Sequence, residues 1–410
     1  MSAPVYSAAP ARGPGAYLPP VPVQRRWRDA LRIWWREIDK LLLLLIGLLM
    51  AMGIVAVAAA SPASADMLST AKERVPDFMF FRRHVIFQAM GLGVMIGLSF
   101  LGRDSARRLG ILVGAVMLAL LFVVPFIGEE KNGARRWINV GMSLQPSEFL
   151  KPGFAIICAW ILSWRLRDPG LPVIAFVTGF FALIAGLLML QPNLGDAILF
   201  GGIWLVMVLL AGLPWQRIAA VGAGGAAALT LAYLFYDNAR HRIDGFLGGG
   251  TAFDQVDLAQ RTITAGGWTG TGLWLGTRKM NLPEAHTDYI FSVIGEEFGL
   301  IICGLIVVLY CGLVMRALLR LTGEDNLFAL LAAAGLVTQF GGQAFINILV
   351  NLKLFPSKGM TLPLISYGGS STLAVCFTLG LLLAITRRNP FLAREGGSLR
   401  DLIERKDASA

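Results

Sequence analysis

Residues 282–299 read LPEAHTDYIFSVIGEEFG, which sets Asp288 at the edge of an apolar run and places two adjacent carboxylates, Glu296 and Glu297, inside it. A carboxylate held in its ionised form by nearby cations can take a proton from a hydroxyl. The plainer reading of this stretch is a helix N-cap, in which an oxygen of Thr287 or Asp288 accepts from the first unpaired backbone N–H groups. At about 100° per residue, Ser292, Gly295 and Gly299 fall within about 40° of Asp288. That narrow face of small residues allows close helix packing and also leaves room for a ligand. Glu296 falls about 80° around the helix and ~12 Å deeper, with Glu297 on the opposite side. Different jobs are therefore expected of the two glutamates, the plain one being to pair with a buried Arg or Lys and lock helices together. An ionisable group inside a membrane span otherwise points to function.

Seven cations share the loops around this stretch: Arg135, Arg136, Lys151, Arg278, Lys279, Lys353 and Lys358. Each alone reads as a solvated loop charge. Together they suit an anion, since Lys and Arg neutralise phosphate oxygens and Arg does so in bidentate fashion. The residues by themselves therefore describe a cavity for a lipid-linked phosphate, with one candidate base.

The elements that must hold these residues are membrane helices. Of the 410 residues, 56% are hydrophobic and 15% charged, and mean hydropathy is +0.65. A soluble domain carries about 25% charged residues. Apolar runs long enough to cross a ~30 Å hydrocarbon core recur at 41–60, 85–101, 109–128, 147–164, 172–190, 196–213, 218–236, 289–315, 327–350 and 370–386. A β-barrel would show short alternating segments instead. The expected fold is all-α: a polytopic membrane bundle of about ten transmembrane helices, with a large extracytoplasmic loop, 237–287, between the seventh and eighth. Residues 1–40 read as a partly disordered basic arm with an amphipathic stretch, RRWRDALRIWWREIDK, suited to the membrane surface. Residues 41–388 form the membrane domain and 389–410 a tail.

A cytoplasmic N-terminus puts most of the 36 Lys and Arg on the cytoplasmic side, so both termini are expected there. The net charge of +10 is explained by basic ends facing an anionic leaflet, and no nucleic acid is expected. Cys158, Cys303, Cys311 and Cys376 all fall within expected spans, which suggests neither disulfides nor a thiolate metal site.

Three segments carry a family resemblance: NGARRWINVG followed by LQPSEFLK, then LPEAHTDYIFSVIGEEFG, and finally FPSKGMTLPLISYGGSS. In order and spacing, from about residue 40 to 388, the chain resembles the SEDS family (shape, elongation, division and sporulation). SKGMTLPLISYGGSS and the long basic arm look more like its septal branch than the branch that elongates the lateral wall. The resemblance implies a peptidoglycan glycosyltransferase that polymerises lipid II and releases undecaprenyl pyrophosphate at the division site of the inner membrane. Asp288 matches the family's essential aspartate and is expected to act as general base, with room for a divalent cation (Mg or Mn) beside it. Arg136, Lys151 and Lys358 match basic positions suited to pyrophosphate. Glu148, Ser366, Gly368 and Gly369 lie in the same motifs, and His286, Glu296 and Glu297 are expected in supporting roles. Implied partners are a class B penicillin-binding protein, which crosslinks the product, an undecaprenyl-linked glycan, and other division proteins.

Two departures stand out. Where the family commonly has Gln/Glu-Pro-Asp-x-Gly-Thr, this chain reads QPNLGDA, with Asn193 in place of the acid and Asp196 one helical turn later. In GTGLWLGT, Trp274 stands where small residues are usual; it reads as an interfacial anchor of the loop, with packing against lipid or sugar the other reading. Two rival functions remain. A lipid II flippase would place its site near the midplane and show internal repeats or broken helices. A noncatalytic scaffold of the division machinery would tolerate loss of Asp288.

Overall fold

The computed structural model describes residues 27–70, 74–131, 134–139, 141, 143–166, 168, 170–212, 222–225, 227, 230–231, 233–235, 240, 244, 255–357 and 359–387. The chain divides into two compact units, Met1–Ile38 and Asp39–Ala410. In the first, α1 (Trp27–Glu37) carries Asp29 in its first turn and Arg36 in its last, a charge order that complements the helix dipole.

The second unit is built from α2 (Lys40–Leu68), α3 (Met79–Ser99), α4 (Arg103–Ile127), α5 (Pro146–Ser163), α6 (Val173–Leu190), α7 (Leu194–Leu210), α8 (Gln255–Ala265), α9 (Ile290–Leu321), α10 (Leu327–Asn351) and α11 (Gly369–Thr386). Apart from α8, each matches an expected span. Among the described residues seven helices are long and apolar enough to cross a membrane, and α7 is a shorter apolar one. The expected span 218–236 lies partly outside the described residues, and those described within it are helical.

The all-α expectation gains one small exception, an antiparallel meander between α4 and α5. It consists of β1 (Glu129–Lys131), β2 (Ala134–Asn139) and β3 (Ser143–Leu144), in that order. Within the loop 237–287, the described part includes α8, a 3₁₀ turn at Arg278–Asn281 and helical residues at 240 and 244.

α11 packs on α3, α4 on α5, α10 on α5 and α7, and α9 on α2. α11 is the most enclosed span. Close approach of α4 and α5 requires small residues: a Cβ on Gly153 would collide with Gly114 Cα, the packing logic of membrane helices.

The end of the bundle where α2 begins is tied by charge. Asp39 caps α2, its Oδ1 accepting from Leu41 N at 3.0 Å and Leu42 N at 3.1 Å. Its Oδ2 accepts from Arg316 Nε at 2.9 Å and Arg320 Nε at 2.5 Å on α9. Burial alone would raise the Asp39 carboxyl, but the two guanidinium groups outweigh it and hold the pKa below its ordinary value. Nearby, Arg103 forks onto Glu324 at 3.0 and 2.6 Å and reaches Ile385 O at 3.0 Å.

Candidate active site

Asp288 lies just before α9, and the backbone around it is held from three directions. Tyr367 N donates to His286 O at 2.9 Å. Ser366 Oγ donates to Thr287 O at 2.5 Å and accepts from Leu362 N at 2.8 Å. From α10, Asn347 Nδ2 and Asn351 Nδ2 donate to Asp288 O at 2.8 and 3.0 Å. Three consecutive carbonyls are thus satisfied by other elements, as buried backbone requires.

The N-cap of α9 is Tyr289, whose own side chain makes no capping bond. The N-cap reading of Thr287 or Asp288 is therefore replaced by a cap supplied from α10. Asn351 Oδ1 accepts from Ser292 N at 3.1 Å and Ser292 Oγ at 2.8 Å, a second acceptor for an N–H that also reaches Tyr289 O at 3.0 Å. Asn347 Nδ2 also reaches Met360 O at 2.6 Å. That loop carries Gly359, where a Cβ would stand 3.3 Å from Asp288 Oδ2. Sequence reading missed Asn347 and Asn351; their signal was two amides four residues apart in an apolar span.

Asp288 lines a cavity of about 670 Å³. Its other walls come from β2 through Arg136 and Trp137, from the start of α5 through Gln145 and Glu148, and from the start of α11 through Gly368, Gly369, Ser370 and Ser371. The first backbone bond of α11 is Thr372 N to Gly368 O, so the N–H groups of its first turn lie at the cavity wall. A helix start of this kind favours an anion. Its glycines are needed for space: a Cβ on Gly369 would meet the Phe87 ring at 3.0 Å.

The cations are distributed differently from expectation. Among those described, only Arg136 lines the cavity, and it also holds the α6–α7 turn through Gln191 O at 3.0 Å and Pro192 O. Lys151 is fully buried in α5 and away from the cavity lining. Its Nζ lies 2.7 Å from Glu148 Oε1 and 2.9 Å from Asp196 Oδ1. Arg135 pairs with Glu130, Lys353 with Asp257, and Lys279 with Glu297. Lys151 and Lys279 are buried and drawn to carboxylates of the protein itself, because a buried charge must be paired, whereas Arg135 and Lys353 pair at the surface. Lys358 lies outside the described residues, between the cavity-lining Ser357 and Gly359.

The displaced acid has a clear place. Asp196 Oδ2 accepts from Ser147 Oγ and Asn193 Nδ2, each at 2.7 Å, while Oδ1 faces Lys151. Asn193 Oδ1 in turn accepts from Asp196 N at 3.3 Å and caps α7. Lys151 thereby links Asp196 to Glu148, whose carboxylate reaches the cavity and lies 3.4 Å from Ser371 Oγ. Ser366 is buried beneath the cavity wall, serving the backbone bonds given above.

His286 is buried against Phe80 at 4.1 Å and Tyr367 at 5.4 Å between ring centroids. Burial pulls its pKa down to about 4 despite the opposing charge of Glu284, so the imidazole is neutral near pH 7. Its Nδ1 has no hydrogen-bond partner among the described residues.

Glu296 and Glu297 share one task rather than two: both hold the loop 266–281. Glu296 accepts from Arg278 N at 2.7 Å and Lys279 N at 2.9 Å. Glu297 accepts from Trp274 N, Gly276 N and Lys279 Nζ. The loop also enters a break in α9 at Gly299, where φ is +83°. Leu300 N and Ile301 N donate to Gly267 O and Trp268 O, while Thr271 N and Gly272 N donate to Glu296 O and Glu297 O. The i→i−4 pairs of the helix are thus exchanged for loop partners. Small residues along this face serve packing: a Cβ on Gly295 would strike Ile263 of α8, and one on Gly299 would strike Trp268 O. Trp274 has φ +65°, a conformation that favours glycine and gives a reason for small residues there. Its Nε1 donates to Ala58 O at 3.2 Å and its ring meets Phe78 edge-on at 6.1 Å.

Similar proteins include the probable peptidoglycan glycosyltransferase FtsW of Caulobacter vibrioides, 35% identical over 365 residues that cover 88% of this chain and 93% of the relative. The protein of the same description from Halorhodospira halophila is 36% identical over 365 residues, covering 85% and 90%. Among solved structures, a chain of a peptidoglycan synthase complex described as coordinating polymerization and crosslinking matches with TM-score 0.69 and 29% identity. The match covers 86% of this chain and 98% of that one. The rod shape determining protein RodA of Thermus thermophilus matches with TM-score 0.63 and 28% identity, over the same shares. A model of the cell cycle protein family of FtsW, RodA and SpoVE matches residues 39–390, and the chain belongs to that family.

Proposed function

We propose that this multi-pass membrane protein is a peptidoglycan glycosyltransferase that polymerises lipid II into glycan strands and releases undecaprenyl pyrophosphate. The observation that carries the mechanism is the cavity that brings Asp288 opposite the start of α11. Asp288 takes the proton of the acceptor sugar hydroxyl as that oxygen attacks the anomeric carbon of the lipid-linked donor. The bond from that carbon to the pyrophosphate oxygen breaks, and the leaving group departs with its electron pair. The first turn of α11 and Arg136 receive the developing negative charge. Lys151 acts from behind the wall by holding Glu148 in place.

Asp288 would be the residue to hold a divalent cation, which would supply positive charge for the leaving diphosphate. Among the described residues no group of three or more His, Cys, Asp or Glu is gathered to hold a metal ion.

The cytoplasmic placement of both termini rests on the charge bias of the loops. The septal site is supported by the FtsW description of the relatives, and a crosslinking partner of the class B penicillin-binding type by the synthase complex. A lipid II flippase is the second reading, since α9 is broken at Gly299 as transporter helices often are. That break, however, is filled by the loop 266–281 and leaves no passage there. A scaffold would not need Asp288.

The deciding experiment is glycan polymerisation from purified lipid II by the wild type and Asp288→Asn, each with and without a cognate class B transpeptidase. Long strands from the wild type alone are expected. Equal polymer from both would reject Asp288 as base, and none from a folded, partnered wild type would favour transport or scaffolding.

A further inference from the structure

The break in α9 and the loop that fills it also set the height of the protein in the bilayer. Two charge clusters lie at opposite ends of the same helix pair. Asp39, Arg316 and Arg320 join the start of α2 to the end of α9. At the other level Lys279 Nζ bonds Ala59 O of α2 at 2.9 Å and Glu297 of α9. From Asp39 to Ala59 the helix rises about 30 Å at about 1.5 Å per residue, which matches the ~30 Å thickness of a hydrocarbon core.

The loop 266–281 therefore lies at the edge of the apolar layer. Irregular backbone is tolerated there only when its polar groups are satisfied within the protein. Glu296, Glu297 and the exchanged bonds of the α9 break supply those partners. The loop's large apolar side chains turn outward, Trp268 73% exposed, Leu275 69%, Trp274 52% and Leu273 43%, with Thr269, Thr271, Thr277, Arg278 and Asn281 exposed among them. Alongside lie Leu300, Ile301 and Leu305 of α9, also exposed, which continue the same apolar strip down the helix. Two tryptophans at such a boundary fit the aromatic belt of membrane proteins.

We propose that loop 266–281 is an interfacial segment whose apolar face is immersed in the leaflet nearest the cavity, at the boundary between acyl chains and headgroups. Its occupant is lipid rather than a protein partner, because the face is continuous with the exposed strip of a membrane span and, of the loop's two charged residues, Lys279 is buried and only Arg278 is exposed. The clamp fixes this loop to α9 only a few turns from Asp288, so the cavity opens about 10 Å beyond the apolar edge. That is the layer in which a lipid-borne diphosphate lies. This last consequence rests on the proposed glycosyltransferase reading; the membrane placement does not.

The test uses the full chain in phosphatidylcholine vesicles with Cys311→Ser, since the other three cysteines are buried. Leu275→Cys and, separately, Leu273→Cys carry a bimane label. Glu130→Cys, in the exposed β1–β2 hairpin, is the aqueous control. Lipids with a nitroxide near the top of the acyl chain are expected to quench the loop labels more strongly than the control. Aqueous iodide should do the reverse. Loop labels quenched by iodide and not by lipid would overturn the proposal, as would protection from both, which signifies a protein cover. Polymerisation by the wild type and Asp288→Asn is measured in parallel, so failure of the enzymatic reading leaves the quenching result standing.

Discussion

Asn351 Nδ2 donates to Asp288 O at 3.0 Å, while the Oδ1 of the same amide accepts from Ser292 N at 3.1 Å. One side chain of α10 thus brackets the candidate base, holding the carbonyl of Asp288 and the first turn of the helix that follows it. Asn351→Ala would leave the buried Ser292 hydroxyl without its acceptor, at a cost of about 1–3 kcal/mol. Asn351→Asp keeps the acceptor and loses the donor. Expected are a lower thermal midpoint for the alanine variant and reduced polymerisation for both, with binding of lipid II little changed. Unaltered polymerisation by Asn351→Ala would show that Asp288 is held well enough without it.

Gly359 offers a separate approach to the same carboxylate. A Cβ there would sit 3.3 Å from Asp288 Oδ2, so Gly359→Ala shifts the carboxylate without removing it. Polymerisation should fall by about tenfold, roughly 1.4 kcal/mol in the barrier, and the thermal midpoint should move little. Activity equal to the wild type would mean that the position of Oδ2 is not critical.

Lys279 is buried between Ala59 O and Glu297. Lys279→Met leaves Glu297 without its cation, and removing one partner of a buried pair costs about 3–5 kcal/mol. The thermal midpoint in detergent should fall markedly. In Lys279→Met with Glu297→Gln much of that loss should return, because the uncompensated charge is gone. No recovery in the double variant would argue that the loop is held mainly by its backbone exchange with α9.

Asp196 and Asn193 form a pair in which one donates to the other, and only the acid touches Lys151. Asp196→Asn should lower polymerisation by at least about tenfold, as Lys151 loses one of its two carboxylates. Asn193→Asp combined with Asp196→Thr, which moves the acid back one turn, is expected to restore most of it. Failure of the double variant would make Asp196 irreplaceable at its own position.

His286 gives a pH signature. Its pKa falls from 6.5 to about 4 on folding, so the unfolded chain binds the proton first as pH drops. Its neutral form contributes fully above about 6.5, and stability is lost progressively as pH falls towards 4, by up to roughly 3 kcal/mol. Thermal midpoints at pH 7 and pH 5 should therefore converge in His286→Gln relative to wild type. The same pH sensitivity in both proteins would assign the effect to other groups.

Sequence alone was enough for the membrane helices and for singling out Asp288 as a candidate. Apolar runs of membrane length leave a helical bundle as the natural solution, because unpaired backbone cannot face lipid. A lone carboxylate at the rim of such a run, beside His286, was also legible without coordinates. Pairing was not. Lys151 and Lys279 read as loop cations because charge is visible in sequence while the approach of an acid from another helix is not. The partner of Lys151 includes Asp196, on α7, and the backbone acceptor of Lys279 lies on α2. Glu296 and Glu297 were expected to have different jobs by helical geometry, yet they serve one loop because that loop wraps the helix where Gly299 interrupts it. Composition and periodicity determine where an apolar helix runs. Which buried charges and amides meet is decided only by packing, since each must find its partner among residues distant in the chain.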